Sequence, residues 1–92
     1  MKIEQNKNSA SVSLSPYDFV GDRRRRKLAV ADRLRVLREL SGCTQRDVSQ
    51  KVGINAVTLS GYEVGRNEPN SEALVRLADF YGVSVDFILC RF

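Results

Sequence analysis

Residues 44–55 read TQRDVSQKVGIN, and this stretch decides the fold. Thr44 offers a side-chain oxygen that can cap the amino end of a short helix. Val48 and Val52 follow at an interval of four, which gives that helix one apolar face. Gly53 then ends it, because glycine readily takes the positive φ of a tight turn. The pattern predicts a short helix and a turn that leads into another helix.

The helix after the turn begins at Asn55, whose side chain can cap it, and carries Leu59 and Tyr62 toward the core. Two short helices that cross at about 90–120° need a small residue at the crossing, a glycine in the turn and a large apolar anchor. Ser49, Gly53 and Leu59 supply these three in order. The spacing therefore predicts two crossed helices around the glycine.

A longer helix precedes this pair. Between residues 25 and 41, apolar or small residues recur every three or four positions, which is the period of an amphipathic helix. Gly42 then marks its end. The inward face of this first helix is predicted to be Val30, Leu34, Leu37 and Ser41.

Two more helices follow the pair. Gly65 lies where the third helix should end, Pro69 forbids its continuation, and a fourth helix begins at Asn70 or Ser71. Ser84 caps a brief fifth helix. The inward residues of these two helices are Leu74, Leu77, Ala78, Tyr81, Val85, Ile88 and Leu89. The sequence therefore predicts an all-α fold of five short helices.

The basic charge of the chain is concentrated in one pentapeptide. The 92 residues carry 15 Lys and Arg against 11 Asp and Glu, a net charge of +4. Residues 23–27 read RRRRK and account for this whole surplus. Residues 28–67 lean basic and residues 68–92 lean acidic, an asymmetry that directs a polyanion to one face. The alternative is a solvated arginine run without a partner.

The composition argues against an enzyme, a metal site and a membrane protein. The chain has no histidine, and its acids and serines show no nucleophile–base or paired-carboxylate spacing. Cys43 and Cys90 match no metal-site spacing, so we expect both to be reduced packing residues. No apolar run approaches the roughly 20 residues that span a bilayer, and residues 1–10 lack the apolar middle of a secretion signal. We expect a cytoplasmic protein that needs no cofactor.

The chain divides into an N-terminal tail (1–22), a basic arm (23–27) and a helical domain (28–92). The tail is rich in Ser and Asn and shows no helical stripe, which is typical of a disordered terminus. It can instead dock on a partner, because apolar residues alternate with serines or follow Pro16. These residues are Val12, Leu14, Tyr17, Phe19 and Val20.

Over residues 28–89, the sequence resembles the lambda-repressor or Cro-type helix-turn-helix domain. The resemblance rests on residues 44–55 together with 58–63 (TLSGYE), 65–69 (GRNEP), 77–78 (LA) and 82–86 (GVSVD). It implies a lambda-repressor-like DNA-binding domain. The implied function is a small transcriptional regulator of double-stranded DNA, a repressor rather than an enzyme.

The resemblance also implies roles for single residues. The third helix would be the recognition helix, with Asn55, Ala56, Val57, Ser60 and Gly61 toward the base edges of the major groove. Gln45 would bind one phosphate, and the backbone of Arg66 and Asn67 would clamp another. The full expected DNA-binding set is Thr44, Gln45, Asn55, Ala56, Val57, Thr58, Ser60, Gly61, Arg66 and Asn67, with Arg23, Arg24, Arg25, Arg26 and Lys27 of the arm. Arg38 and Glu63 would form a partly buried ion pair.

The third helix departs from the family in its polar side chains. Ala56, Val57, Ser60 and Gly61 include no long bidentate donor for a base, although Ala56 and Val57 can contact thymine methyl groups. We therefore expect phosphate contacts and DNA shape to weigh more than hydrogen bonds to bases. Residues 23–27 resemble the basic arms that reach along DNA, where arginine reads a narrow minor groove.

The end of the chain suggests an interface. Lone exposed apolar residues such as Val36 and Leu40 need no explanation, whereas an aromatic cluster does. That cluster is Phe80, Phe87, Cys90 and Phe92. In related repressors the last helices pair two copies, so a homodimer is expected. Alternatively, these residues fill a small core.

A second class of function stays open. The protein can be an interaction module, antitoxin-like or an anti-regulator, whose tail captures a partner protein while the helices dimerise. The third helix carries few polar side chains that could contact bases, which favours this alternative.

Overall fold

The structure, a computed structural model, describes residues 22–91. These residues form α1 (Asp22–Leu40), α2 (Gln45–Val52), α3 (Ala56–Glu63), α4 (Ser71–Tyr81) and α5 (Val85–Ile88), and they contain no strand. The predicted all-α fold of five helices is confirmed. The apolar residues predicted for the tail, and Phe92 of the aromatic cluster, lie outside the described residues.

The first helix begins earlier than its apolar pattern predicts. α1 starts at Asp22 instead of residue 25, so residues 23–27 lie within the helix and are not an arm that precedes it. Arg and Lys are good helix formers, and no Gly or Pro interrupts this segment. Apolar periodicity marks only the core-facing stripe, which begins near Val30, and it cannot detect the solvated turns before that point.

Side-chain caps set the amino ends of the other helices. Thr44 Oγ1 accepts a hydrogen bond from the Asp47 N–H at 3.0 Å, and the Asp47 carboxylate accepts one from the Thr44 N–H at 2.9 Å. Hydrogen bonds from the Thr44 backbone N–H and from the Thr44 side chain lower the pKa of the Asp47 carboxyl, because both favour its ionised form. Asn55, Asn70 and Ser84 cap α3, α4 and α5. Asn70 is therefore the cap of the fourth helix.

The core lies where the helices meet. α1 packs against α3 and α5, α2 against α3 and α4, and α4 against α5. The buried apolar residues are Val30, Ala31, Leu34, Val48, Val52, Leu59, Tyr62, Ala73, Leu77, Ala78 and Ile88. Ser41 is wrongly predicted to face inward: it lies beyond the end of α1 and is exposed, and its hydroxyl donates to the Leu37 carbonyl at 2.8 Å.

The turn between α2 and α3 has the predicted glycine geometry. Gly53 takes a φ of +73°. Arg76 of α4 braces the turn, because its Nη1 donates to the Val52 carbonyl oxygen at 3.2 Å and its Nη2 pairs with Glu72 at 2.7 Å. The fourth helix thus holds the junction of the helix pair.

The aromatic cluster lies partly within the fold. Phe80 is half-buried against the core, and its ring meets Tyr81 edge-on at 5.1 Å. The Arg33 guanidinium lies over the half-buried Phe87 ring, 4.1 Å from its centroid, which ties α1 to α5. Cys43 and Cys90 form no disulfide with each other. Among the helices of residues 22–91, none has the length and apolarity to cross a bilayer.

Candidate nucleic-acid interface

α3 is buried on one side and exposed on the other. Leu59 and Tyr62 are only 3% and 7% exposed, whereas Val57 is 75% exposed and Asn55 is exposed as well. Ala56, Thr58 and Ser60 are half-exposed. We call Asn55, Ala56, Val57 and Ser60 the outer face of α3. An eight-residue helix with this division can present its outer face to a groove.

Gly61 does not belong to this outer face. The glycine is buried, and a Cβ placed on it would lie 2.6 Å from the Asn67 side-chain nitrogen. The loop that follows α3 folds back onto this position. The end of the exposed Asn67 side chain thus covers Gly61, and the expected contact of Gly61 with the bases stays a prediction.

The backbone of the same loop is already hydrogen-bonded. The N–H groups of Arg66 and Asn67 both donate to the Gly61 carbonyl oxygen, at 2.9 and 3.2 Å. Helix ends need such partners, because the last carbonyl oxygens find no N–H donor within the helix. The expected backbone clamp is therefore occupied, and the exposed side chains of these two residues are what the loop offers to a phosphate.

A buried ion pair joins α1 to α3. Arg38 Nε donates to the two Glu63 carboxylate oxygens at 3.0 and 2.8 Å, and the side chains are 17% and 6% exposed. The hydrogen bond with Glu63 raises the pKa of Arg38. Arg38 Nη1 also donates to the Cys43 carbonyl at 3.0 Å, which fixes the chain just before α2. The predicted pair is confirmed.

Gln45 belongs to the same network. Its Nε2 donates to Glu63 Oε1 at 3.1 Å, so the first residue of α2 is fastened to the last residue of α3. The side chain is half-buried at the amino end of α2, where unsatisfied amides favour an anion. Sequence reasoning missed this bond, because a glutamine gives no sign of a partner 18 residues away.

The buried carboxylate of Glu63 also acts on Tyr81, the last residue of α4. Burial, and then the charge of Glu63, raises the pKa of the Tyr81 hydroxyl to about 12. The unfolded chain would ionise this group near its ordinary value of 10, before the folded protein does. The contribution of Tyr81 to stability is therefore complete below pH 10 and is lost as the pH rises toward 12.

We therefore expect Tyr81→Phe to flatten the alkaline loss of stability. Urea unfolding between pH 9 and 12 should show a steeper fall for the wild type than for the variant, because only the wild type has this proton to lose. Burial also raises the pKa of the Tyr62 hydroxyl. The variant Tyr62→Phe therefore shows how much of the alkaline loss of stability comes from this second tyrosine. Parallel curves for the wild type and Tyr81→Phe would contradict the expectation.

The basic end of α1 lies beside the loop after α3. Arg24, Lys27, Leu28 and Gly65 line an open cleft of about 440 Å³. A second cleft of about 540 Å³ is lined by Arg26, Lys27, Arg66, Asn67 and Glu68. Two groups of predicted DNA-binding residues, far apart in sequence, thus meet at one place. In residues 22–91 no group of three acidic, Cys or His side chains could hold a metal ion.

Residues 34–88 match the helix-turn-helix family. The chain belongs to the helix-turn-helix family. It is 42% identical over 57 residues to the uncharacterized HTH-type transcriptional regulator YobD of Bacillus subtilis, a match that covers 62% of this chain and 51% of YobD. It is 32% identical over 62 residues to the HTH-type transcriptional regulator ImmR of the same organism, covering 67% of this chain and 49% of ImmR. The helix-turn-helix chain thus spans about half the length of these curated relatives.

A solved structure agrees with this assignment. The DNA-binding domain of BldD from S. venezulae is similar with a TM-score of 0.62 and 30% sequence identity, covering 70% of this chain and 96% of that chain. The predicted resemblance and the lambda-repressor-like fold are confirmed.

Proposed function

We propose that this helix-turn-helix protein binds double-stranded DNA sequence-selectively and regulates transcription as a repressor. The observation that carries the proposal is the outer face of α3, which stands exposed on a helix anchored by Leu59 and Tyr62. Relatives described as HTH-type transcriptional regulators support it, as does the similarity to a DNA-binding domain. A domain of this kind represses by occupying a promoter, and it does so by binding rather than by catalysis.

The outer face of α3 suits a particular kind of readout. Val57 is the large apolar side chain that it exposes, and the thymine methyl group is its natural partner in the major groove. Asn55 Oδ1 accepts from the Val57 N–H at 2.7 Å, so Asn55 offers mainly its amide donors to DNA. Sequence selection should therefore rest on methyl contact and DNA shape, with phosphate contacts on both sides.

Selection of duplexes from a random pool tests the proposal. We expect an enriched motif with thymine at the position that Val57 contacts. Replacing that thymine by uracil removes one methyl group and should weaken binding about fourfold, which corresponds to about 0.8 kcal/mol. The variant Val57→Ser should lose this sensitivity, whereas Val75→Ser, on α4 and 51% exposed, should keep it. Absence of any enriched sequence, with no binding in dilute salt, would refute the function.

The assembly is proposed to be a homodimer through the end of the chain. Phe80 and Phe87 are only partly buried within the described residues. A two-fold dimer matches two half-sites one helical turn apart. Sedimentation equilibrium should show a dimer for the full chain and a monomer for Phe80→Ser.

Deletion of residues 1–21 should leave DNA binding unchanged, whereas the interaction-module alternative expects loss of a protein partner.

A further inference from the structure

We propose that Val57 recognises the methyl group of 5-methylcytosine as well as that of thymine, so that methylation of cytosine C5 strengthens the binding of this protein to duplex DNA. The inference rests on the proposed function and deepens it, because it names a chemical mark that the same helix would read. Both bases carry a methyl group on C5, at the same place in the major groove. A side chain that contacts this methyl group in thymine can therefore contact it in 5-methylcytosine.

Val57 is placed to make such a contact. It is the second residue of α3, in the amino-terminal turn with which a recognition helix meets base edges, and it is 75% exposed. A valine in a helix keeps essentially one χ1 rotamer, so its two methyl groups have fixed directions before DNA arrives. Burying this side chain against a methyl group removes apolar surface of both partners from water. Val64, which is also exposed, follows the opposite end of α3.

The outer face of α3 carries no charged side chain that would select one base by its polar groups. Residues 55–61 read NAVTLSG and include no Asp, Glu, Lys or Arg. A carboxylate is the usual acceptor for the amino group of cytosine, and an Arg or Lys side chain is the usual donor to guanine. Because α3 lacks both kinds of group, the apolar contact of Val57 has a larger share in the selection of sequence.

The polar groups nearest Val57 are compatible with both pyrimidines. Thymine presents a carbonyl oxygen beside its methyl group, whereas 5-methylcytosine presents an amino group there. Ser60 follows Val57 by one turn, and its hydroxyl can donate or accept. Gly61 also follows by one turn, and the Asn67 carboxamide that lies over it has both a donor and an acceptor. Neither group therefore requires thymine in place of 5-methylcytosine.

Asn55 does not oppose this tolerance. A carboxamide that was free to direct its N–H groups at the base would favour the carbonyl oxygen of thymine. The Asn55 Oδ1 instead accepts from the Val57 N–H at 2.7 Å, which holds the side chain at the backbone of the first turn. The methyl group remains the feature that both bases share and that α3 is built to contact.

The expected effects have the same size for both bases. One methyl group buried against Val57 contributes about fourfold in affinity. The affinity ratio of thymine over uracil and that of 5-methylcytosine over cytosine should therefore both be about fourfold at the contacted position. The second comparison leaves the base pair unchanged and alters only the methyl group.

Selection and titration with methylated DNA test the inference. The full chain selects duplexes from a random pool amplified with ordinary deoxycytidine triphosphate and, separately, from a pool amplified with its 5-methyl derivative. We expect the position enriched in thymine in the first pool to accept 5-methylcytosine in the second. Fluorescence anisotropy then compares duplexes that carry thymine, uracil, cytosine or 5-methylcytosine at that position alone.

Two matched variants assign the effect to Val57. Val57→Ser should lose both affinity ratios, because a hydroxymethyl group offers little apolar surface to the base. Val75→Ser replaces a valine on α4 that is 51% exposed, and it should keep both ratios. Since both side chains are exposed, thermal unfolding of the two variants should stay close to that of the wild type.

Each outcome decides the inference. Two ratios near fourfold that Val57→Ser loses support it. A preference for thymine over uracil without any gain from 5-methylcytosine overturns it and leaves the proposed function intact, since the site then requires the thymine carbonyl oxygen as well. Ratios that persist in Val57→Ser overturn it too, because methylation then acts through the shape of the DNA. An enriched motif with neither ratio overturns the methyl contact alone. A protein that enriches no sequence and binds no duplex in dilute salt overturns both proposals.

Discussion

Glu63→Ala is expected to lower the free energy of unfolding by about 3–5 kcal/mol, which is a large part of the stability of a small domain. The substitution leaves Arg38, whose side chain is only 17% exposed, without the carboxylate that it meets at 2.8 Å. It also removes the acceptor of Gln45. An uncompensated buried charge is more costly than the loss of a surface contact, because the charge has been taken out of water.

Urea unfolding at neutral pH measures this loss, with two comparisons. Arg38→Met combined with Glu63→Leu should cost less than Glu63→Ala alone, because neither charge then remains in the core. Glu39→Ala removes a carboxylate that is 56% exposed and lies 3.7 Å from Arg35, so it should change stability by less than about 1 kcal/mol. Similar effects of Glu63→Ala and Glu39→Ala would show that the buried pair has no special role.

Local signals explain which parts of this fold could be predicted. Thr44, Asn55 and Ser84 cap helices within three residues of their own position, and Gly53 turns the chain where it stands. Such caps and turns depend only on nearby backbone, so they can be predicted from the local sequence. The Arg38–Glu63 pair spans 25 residues and was predictable only through the resemblance to a family.

Tertiary contacts explain what was missed. The start of α1 was placed too late, because its first turns are solvated and have no apolar stripe. Gly61 looked like a surface residue of the recognition helix, and only the returning loop shows why it is buried. The amides of Arg66 and Asn67 looked available for phosphate until their common acceptor was known. The last two depend on where another segment of the chain lies.

Gly65→Ala is expected to destabilise the protein by about 2–3 kcal/mol. Two costs add: an L-residue at a φ of +79° loses roughly 1–2 kcal/mol, and a methyl group 2.9 Å from Leu28 Cδ2 must displace the end of that half-exposed side chain at a further cost of about 1 kcal/mol. Gly82→Ala is a matched control, since Gly82 has a φ of +70° with nothing within 4 Å of the added Cβ. Its loss should stay at about 1–2 kcal/mol.

A third variant separates the two costs. Leu28→Ala combined with Gly65→Ala removes the contacted side chain, so the coupling between the substitutions should be favourable while the backbone cost remains. A Gly65→Ala protein that loses no more stability than Gly82→Ala would show that the contact with Leu28 adds nothing to the backbone cost.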